Sequence, residues 1–218
     1  MQRWGSSNAS NKVNQPETFP GNCLEPRSFR VAFDVANQRT SQTGTDSVVI
    51  IPMKRRHLRS VIRIENKVFP RPWTVGLFMS EISTPTGRAY YIAKIGPRVV
   101  GYCGMIMTCG EAHITNIAVD PEWGRRHIAS RMMVQMIRTA IANETLHVTL
   151  EVRMSNRSAQ SLYYRFGFAP GGVRKNYYPE TNEDALIMWV HDIGSPNYEV
   201  RLQSILSRIG GKTTWAQV

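Results

Sequence analysis

Hydrophobic positions change between strand spacing and helix spacing several times from about residue 47 to residue 191. Short β-branched or alternating apolar runs predict strands at 48–51, 89–95, 98–108, 112–119, 146–152, 168–175 and 184–190. Apolar residues at helical spacing predict helices at about 54–68, 128–142 and 157–166, with a shorter helix ending near residue 82. This order of elements predicts an α/β (α+β) domain in which one mixed central sheet is flanked by helices.

Two glycines interrupt the side-chain pattern of the predicted strand at 98–108. Gly101 and Gly104 predict a bulge or a close approach of another group to the backbone. Asn156 precedes the helix at 157–166 and Gly167 follows it, which predicts an N-cap and a left-handed end residue. Tyr177 and Tyr178 are predicted to lie in the link between the last two strands.

The two ends of the chain differ from this central domain, which we place at residues 47–191. Residues 1–46 are rich in Asn, Ser, Gln and Thr without a sustained period, which predicts a largely disordered leader. The alternation of Phe29, Val31 and Phe33 leaves open a short strand or a binding segment there. Residues 192–218 form a C-terminal extension in which Tyr198, Leu202 and Ile205 mark one face of an amphipathic helix. The pattern leaves open whether this extension packs on the domain, binds a partner or lies in solution.

A net charge of +11 over 218 residues favours acidic ligands such as nucleotides, ribosomal surfaces or acidic membranes. Charge alone does not predict a nucleic-acid partner, because the sequence shows no stacking platform or binding motif. No apolar run approaches the roughly 20 residues that span a bilayer, and the N-terminus lacks a secretion signal. The three cysteines show no metal-ligand spacing. We therefore expect a cytoplasmic protein with reduced thiols, no membrane span and no metal.

The stretch HITNIAVDPEWGRRHIAS at 113–130 has the order strand, turn, basic loop and helix start. Backbone N–H groups at a helix start and the positive end of the helix dipole attract phosphate. Arg125 and Arg126 add positive charge in that loop. This order predicts an anion site, although a solvated basic turn has the same pattern.

Three segments carry a resemblance to a known family: ITNIAVDPEW, LEVRMSNRSAQSLYYRFGF and RKNYYPETNEDALIM. Together they resemble the GNAT superfamily of acetyl-CoA-dependent acetyltransferases, and within it the RimI-type ribosomal-protein-alanine N-acetyltransferases. The resemblance covers residues 48–191. It implies that the two central strands splay apart in a V and that the pantetheine arm of acetyl-CoA, the cosubstrate, lies in the gap.

The resemblance also assigns residues to the cofactor. It implies that strand backbone groups bind the arm, that the basic loop holds the diphosphate, and that one capping residue contacts the cofactor across the gap. The strand residues are Ile117, Ala118 and Val119, and the capping residue is Asn156. The loop residues are Arg125, Arg126, His127, Ile128, Ala129 and Ser130.

For the chemistry, the resemblance implies direct attack of an amine on the acetyl thioester. Glu151 matches the general base, acting through water, and Tyr163 matches the general acid for the CoA thiolate. Strand alternation turns Glu151 away from its apolar neighbours, and Tyr164 points elsewhere by helical geometry. Trp73, Tyr177 and Tyr178 are expected to border the peptide groove, although tyrosines in hairpin links and core tryptophans are common.

The loop departs from the family pattern at two positions. Gly124 replaces a basic residue, and His127 replaces the central glycine. Glycine suits such loops because a Cβ crowds the phosphate and because positive φ values cost other residues energy. We expect acetyl-CoA to bind, but less tightly than it would bind a glycine version.

These observations favour a protein N-terminal α-amine acetyltransferase with a ribosomal-protein terminus as substrate. Lysine acetylation is the second hypothesis, and a noncatalytic CoA- or ribosome-binding module is the third. A lysine amine has a reference pKa of about 10.4 against about 7.7 to 8.0 for an α-amine, so it is harder to deprotonate. His113 and Cys103 do not predict nucleophilic catalysis, because no third residue is seen to orient the pair.

Overall fold

The computed structural model describes residues 47–84 and 86–217. The strands are β1 (Val48–Pro52), β2 (Arg88–Ile95), β3 (Arg98–Thr108), β4 (Glu111–Val119), β5 (His147–Arg153), β6 (Ala169–Tyr178), β7 (Glu183–Val190) and β8 (Thr213–Thr214). The helices are α1 (Leu58–Val68), α2 (Val75–Ser83), α3 (Ile128–Ala142), α4 (Arg157–Arg165) and α5 (Pro196–Arg208), with short 3-10 turns at Arg55–His57 and Pro121–Trp123. The predicted leader lies outside the described residues.

All eight strands form one sheet in the order β6-β7-β5-β4-β3-β2-β1-β8. Neighbouring strands are antiparallel except for the parallel pairs β4–β5 and β1–β8. The predicted mixed α/β architecture is confirmed. The parallel pair β4–β5 lies in the middle of the sheet, and the helix α3 connects its two strands.

Each face of the sheet has its own apolar core. On one face the methionine-rich side of α3, with Met132, Met133 and Met136, packs on the central strands together with α4. On the other face Leu58 and Ile64 of α1 form a smaller core with residues of α2 and the sheet. The methionines that recur at helical spacing in α3 are therefore part of the core.

The β3–β4 pair contains the irregularity that the strand glycines predicted. Gly104 pairs with Asn116 and the next residue pairs with Ile114, so Thr115 is an extra residue on β4. A Cβ at Gly104 would lie 2.1 Å from a ring carbon of Tyr90. The bulge and the close approach both occur here, and the bulge changes which face the β4 residues on its two sides present.

Two expectations need correction or completion. Tyr177 and Tyr178 lie within β6 rather than in the link after it, because a register shift between Arg174 and Tyr178 lets the strand continue to Tyr178. The C-terminal extension packs on the domain, which the sequence had left open. Tyr198 of α5 is buried and its Oη donates a hydrogen bond to the Phe166 carbonyl at 2.9 Å.

Residues after α5 complete this packing. The buried guanidinium of Arg131 in α3 donates to the Gly210 carbonyl and to Oγ1 of Thr213, and β8 pairs with β1. Across the described residues, no helix is long and apolar enough to cross a membrane.

Candidate active site

The two central strands separate after a short paired region. β4 and β5 pair only at Glu111 with His147, Ala112 with Val148, and His113 with Thr149. Beyond His113, β4 continues for six residues to Val119 with only β3 beside it among the described strands. Ile117, Ala118 and Val119 pair with β3 on one side and have no strand on the other among the described residues, so the predicted V-shaped split is confirmed.

The open edge of β4 leads directly into the predicted anion loop. Asp120 directly follows the strand, is completely buried, and is held by Lys67 at 3.1 Å and Arg63 at 3.4 Å. Its Oδ1 accepts a hydrogen bond from the Glu122 backbone N–H at 3.4 Å. These contacts fix the direction in which the chain leaves the sheet, so the loop meets the first turn of α3.

The loop uses left-handed backbone at two positions that are not glycine. Arg125 has φ of 63° and His127, the N-cap of α3, has φ of 56°, whereas Gly124 has φ of −60°. Glycine therefore stands where any residue fits, and a histidine stands where glycine is favoured. A left-handed residue of this kind costs of order 1 kcal/mol.

A pocket forms between this loop, α4 and the end of β4. The predicted cofactor residues that line it are Val119, Arg125, His127, Ile128, Ala129 and Ser130, and α4 adds Ser158, Leu162 and Arg165. Arg126 does not line the pocket, and its guanidinium lies over the Trp123 ring at 4.8 Å from the centroid. Ile117, Ala118 and Asn156 also lie outside the pocket lining, and Asn156 caps α4 by accepting the Ala159 N–H at 3.0 Å.

Positive charge surrounds this pocket. Partial burial, followed by the nearby guanidiniums of Arg165, Arg131 and Arg125, lowers the pKa of His127 below its usual value. The contribution of these three guanidiniums to the shift indicates a positive local potential beside the ring. Together with the first turn of α3, these side chains form a site suited to a diphosphate.

Glu151 lies on β5, on the face opposite its core-facing neighbours Leu150 and Val152, as strand alternation predicted. Its carboxylate is 2% exposed and lies between two basic side chains. His113 Nε2 approaches Oε2 at 2.9 Å, and Arg174 Nε approaches Oε1 at 3.2 Å. The His113 contact is at ion-pair distance but lacks the alignment of a hydrogen bond.

Tyr163 is fully buried on α4, whereas Tyr164 is 48% exposed. The Oη of Tyr163 has no hydrogen-bond partner within the described part of the chain. Burial, with a smaller contribution from Tyr178, raises the pKa of Tyr163 well above its usual value. The phenol therefore keeps its proton near neutral pH, and its hydroxyl is buried.

Residues 58–168, about half the chain, match the Acetyltransferase (GNAT) family. The chain belongs to the GNAT family of acetyltransferases. A Bacillus subtilis (strain 168) protein is 37% identical over 138 residues, which cover 63% of this chain and 91% of that protein. Its name assigns it provisionally as a [ribosomal protein bS18]-alanine N-acetyltransferase.

Two further proteins that are similar to this chain are also named as N-acetyltransferases. The N-alpha-acetyltransferase RimI of Mycobacterium tuberculosis (strain ATCC 25618 / H37Rv) is 31% identical over 160 residues, covering 70% of this chain and 98% of that protein. The crystal structure of the ribosomal-protein-S18-alanine N-acetyltransferase from Escherichia coli superposes with a TM-score of 0.62 at 27% identity, covering 66% of this chain and 94% of the other. The RimI-type resemblance is confirmed, and this GNAT protein is an N-acetyltransferase.

Sequence reasoning missed the contact of His113 with Glu151. It considered His113 only beside Cys103, whose thiol is buried in the core with its pKa raised by that burial. The register places His113 opposite Thr149, and Glu151 is the next residue of β5 on the same face. Strand alternation shows which residues share a face. The contact also depends on the β4–β5 register, which cannot be predicted from the sequence alone.

The three residues expected at the peptide groove have different surroundings. Trp73 is partly buried and packs on Phe78 with ring centroids 5.2 Å apart. Tyr178 is buried under the guanidinium of Arg153, and Tyr177 is half-buried with its ring against that of Tyr178. In the described part of the chain, no group of three or more His, Cys, Asp or Glu side chains is placed to hold a metal ion.

Proposed function

We propose that this GNAT enzyme acetylates the α-amine of protein amino termini, using acetyl-CoA as cosubstrate. The observation that carries the proposal is the early end of β4–β5 pairing. It opens a strand edge that runs from the region of Glu151 to the cationic loop at the start of α3. The relatives named for acetylation of ribosomal protein bS18 make an alanine amino terminus of a ribosomal protein the first substrate to test.

In this proposal the anion loop binds the diphosphate. His127 and Ser130 stand at the first turn of α3, and Arg125 adds charge at the pocket rim. The backbone of Ile117, Ala118 and Val119 offers hydrogen bonds to the pantetheine arm in place of a neighbouring strand. An amide-containing chain can pair with an open strand edge in the way a further strand would.

Glu151 acts as the base in the proposed reaction. The substrate nitrogen attacks the acetyl carbonyl carbon, and its proton passes through water to Glu151. His113 touches the same carboxylate and is 18% exposed, so it can pass the proton on towards solvent. An α-ammonium with a pKa of about 7.7 to 8.0 needs little help to deprotonate, which suits a carboxylate base.

Tyr163 acts as the acid. When the carbon–sulfur bond breaks, the phenol donates its proton to the departing thiolate, and the phenolate is then reprotonated from solvent. Its raised pKa keeps the proton on the phenol until the thiolate forms. The net result is one acetylated amine and one CoA thiol, with no acetyl group carried by the enzyme.

A thiol-release assay with two peptides tests the amine class. The first peptide has a free alanine α-amine and no lysine, and the second has a blocked amino terminus and one internal lysine. We expect turnover on the first peptide only. Turnover on the second alone would instead identify a lysine acetyltransferase, and release on neither would favour a noncatalytic CoA- or ribosome-binding module. Mass spectrometry of ribosomal-protein termini in cells with and without the gene then tests the substrate, and a cytoplasmic location stays a prediction.

A further inference from the structure

A second groove, here called the α5 groove, lies between α5 and the start of α3. It is defined by His127, Arg165, Val200, Arg201, Ile205 and Arg208, and its volume is about 510 Å³. That volume falls in the range of small-molecule sites. His127, Ser130 and Arg165 line both this groove and the anion-loop pocket, so the two spaces are adjacent. The α5 wall comes from the C-terminal extension, outside the segment that matches the GNAT family.

The α5 groove combines cationic and apolar surface. Arg165, Arg201 and Arg208 are its exposed arginines, and its lining contains no aspartate or glutamate. Val200 and Ile205 supply apolar surface, and Val200 is 69% exposed. This combination is complementary to a flat, weakly polar base that carries a phosphate.

Arg201 is held in place by the end of α4. Gly167 has φ of +86°, and a Cβ on it would lie 3.1 Å from Nε of Arg201. The guanidinium also donates to the Arg165 carbonyl at 3.5 Å. The absence of a side chain at Gly167 therefore lets the Arg201 side chain pack against the α4 terminus, with its charge at the groove.

The covalent order of acetyl-CoA indicates what occupies this groove. The diphosphate stands between the pantetheine arm and a 3′-phosphorylated adenosine. If the arm enters the β4–β5 gap and the loop holds the diphosphate, the nucleotide must leave on the other side of the loop. The α5 groove begins there, at His127 and Ser130.

We infer that the α5 groove binds the 3′-phosphorylated adenosine of acetyl-CoA, with Arg201 and Arg208 contacting the 3′-phosphate and Val200 and Ile205 covering the base. The inference rests on the proposed use of acetyl-CoA. It gives the C-terminal extension a role in cosubstrate recognition, and it predicts that the enzyme distinguishes CoA from 3′-dephospho-CoA.

Calorimetry with CoA and 3′-dephospho-CoA tests this inference on the full chain. We expect the wild type to bind CoA at least about tenfold more tightly, since hydrogen bonds between charged groups contribute roughly 1.5–3 kcal/mol. The double variant Arg201→Gln with Arg208→Gln should bind both ligands within about twofold of each other. Arg59→Gln removes one exposed arginine on α1, away from the groove, and should keep the wild-type ratio. The KM for acetyl-CoA should rise in the double variant by the factor lost in CoA affinity.

The outcomes separate this inference from the proposed function. If the double variant keeps the wild-type preference for CoA over 3′-dephospho-CoA, the proposed role of α5 is overturned, but the use of acetyl-CoA is not. Equal binding of the two ligands by the wild type would also overturn that role. No binding of CoA by the wild type would overturn the use of acetyl-CoA itself. Thermal unfolding of the double variant should match that of the wild type, because the buried contacts of α5 are made by Tyr198 and Leu202.

Discussion

The proposed catalytic pair, Glu151 and Tyr163, is held in place differently from the anion loop before α3. Glu151 and Tyr163 are buried on a regular strand and a regular helix, where neighbouring side chains fix their positions. Arg125 and His127 are exposed and lie in a strained loop that offers mainly backbone N–H groups. Activity should therefore depend on the identity of the side chains at Glu151 and Tyr163. Ligand binding at the loop should depend on its backbone path and tolerate substitution.

The largest effect is expected for Glu151→Gln. The amide keeps the shape of the side chain but cannot take a proton, so turnover at neutral pH should fall by roughly 100- to 10,000-fold. Thiol-release kinetics measure this loss, and Glu144→Gln, an exposed substitution after α3, is the control. Full activity of Glu151→Gln would show that another group is the base.

A smaller but still large effect is expected for Tyr163→Phe. Loss of the proton donor should slow acetyl transfer by about 100-fold. Since Oη has no hydrogen-bond partner among the described residues, the free energy of unfolding should not fall. The same kinetic assay and a urea unfolding curve check both statements, with Tyr164→Phe as the exposed neighbour. Unchanged kinetics together with lost stability would make Tyr163 a packing residue.

The loop should respond more mildly. His127→Gly removes a side chain that crowds the diphosphate, so acetyl-CoA should bind up to about fivefold more tightly, which corresponds to about 1 kcal/mol. Calorimetry of wild type, His127→Gly and Gly124→Ala measures this. The alanine variant should change little because φ at Gly124 is −60°. Equal or tighter binding by the histidine form would contradict the expectation.

The smallest effect is expected from the protonation of His127. Its pKa is lowered in the folded state, so the unfolded chain binds a proton first as the pH falls below about 6.5. Stability attributable to this residue is therefore lost as the pH falls from about 6.5 through the folded-state pKa. Midpoints of thermal unfolding at about pH 7.5 and pH 5 should differ less in His127→Asn than in wild type. A larger difference in the variant would contradict the sign.

Local pattern was enough to predict most of the fold. The spacing of Met132, Met136 and Ile137 gave α3 its observed bounds, because the apolar stripe and the basic loop define both ends. The end of β6 was placed too early, since left-handed backbone at Asn176 and the register shift beside it let the strand resume at Tyr178. The amphipathic pattern of α5 predicts that one of its faces packs against other residues, but it does not identify those residues.

From the sequence, the site could be predicted only through the pattern at single positions and through the family resemblance. Alternation gave the face of Glu151, and helical geometry separated Tyr163 from Tyr164. The contact between His113 and Glu151 depends on the register of two strands joined through α3, and the orientation of Arg126 over Trp123 depends on loop geometry. Both are set by tertiary packing, and neither produces a periodic signal.

The short pairing of β8 with β1 has a consequence for how the molecule behaves in solution. Val48 N–H donates to the Lys212 carbonyl at 3.0 Å, and Thr213 and Thr214 cover the adjoining part of the outer edge of the sheet. An uncovered edge strand offers its hydrogen-bonding groups to other chains. Chains cut before residue 209 would expose this edge and also deprive the guanidinium of Arg131 of two acceptors. Chains shortened in this way should self-associate more readily than the full chain.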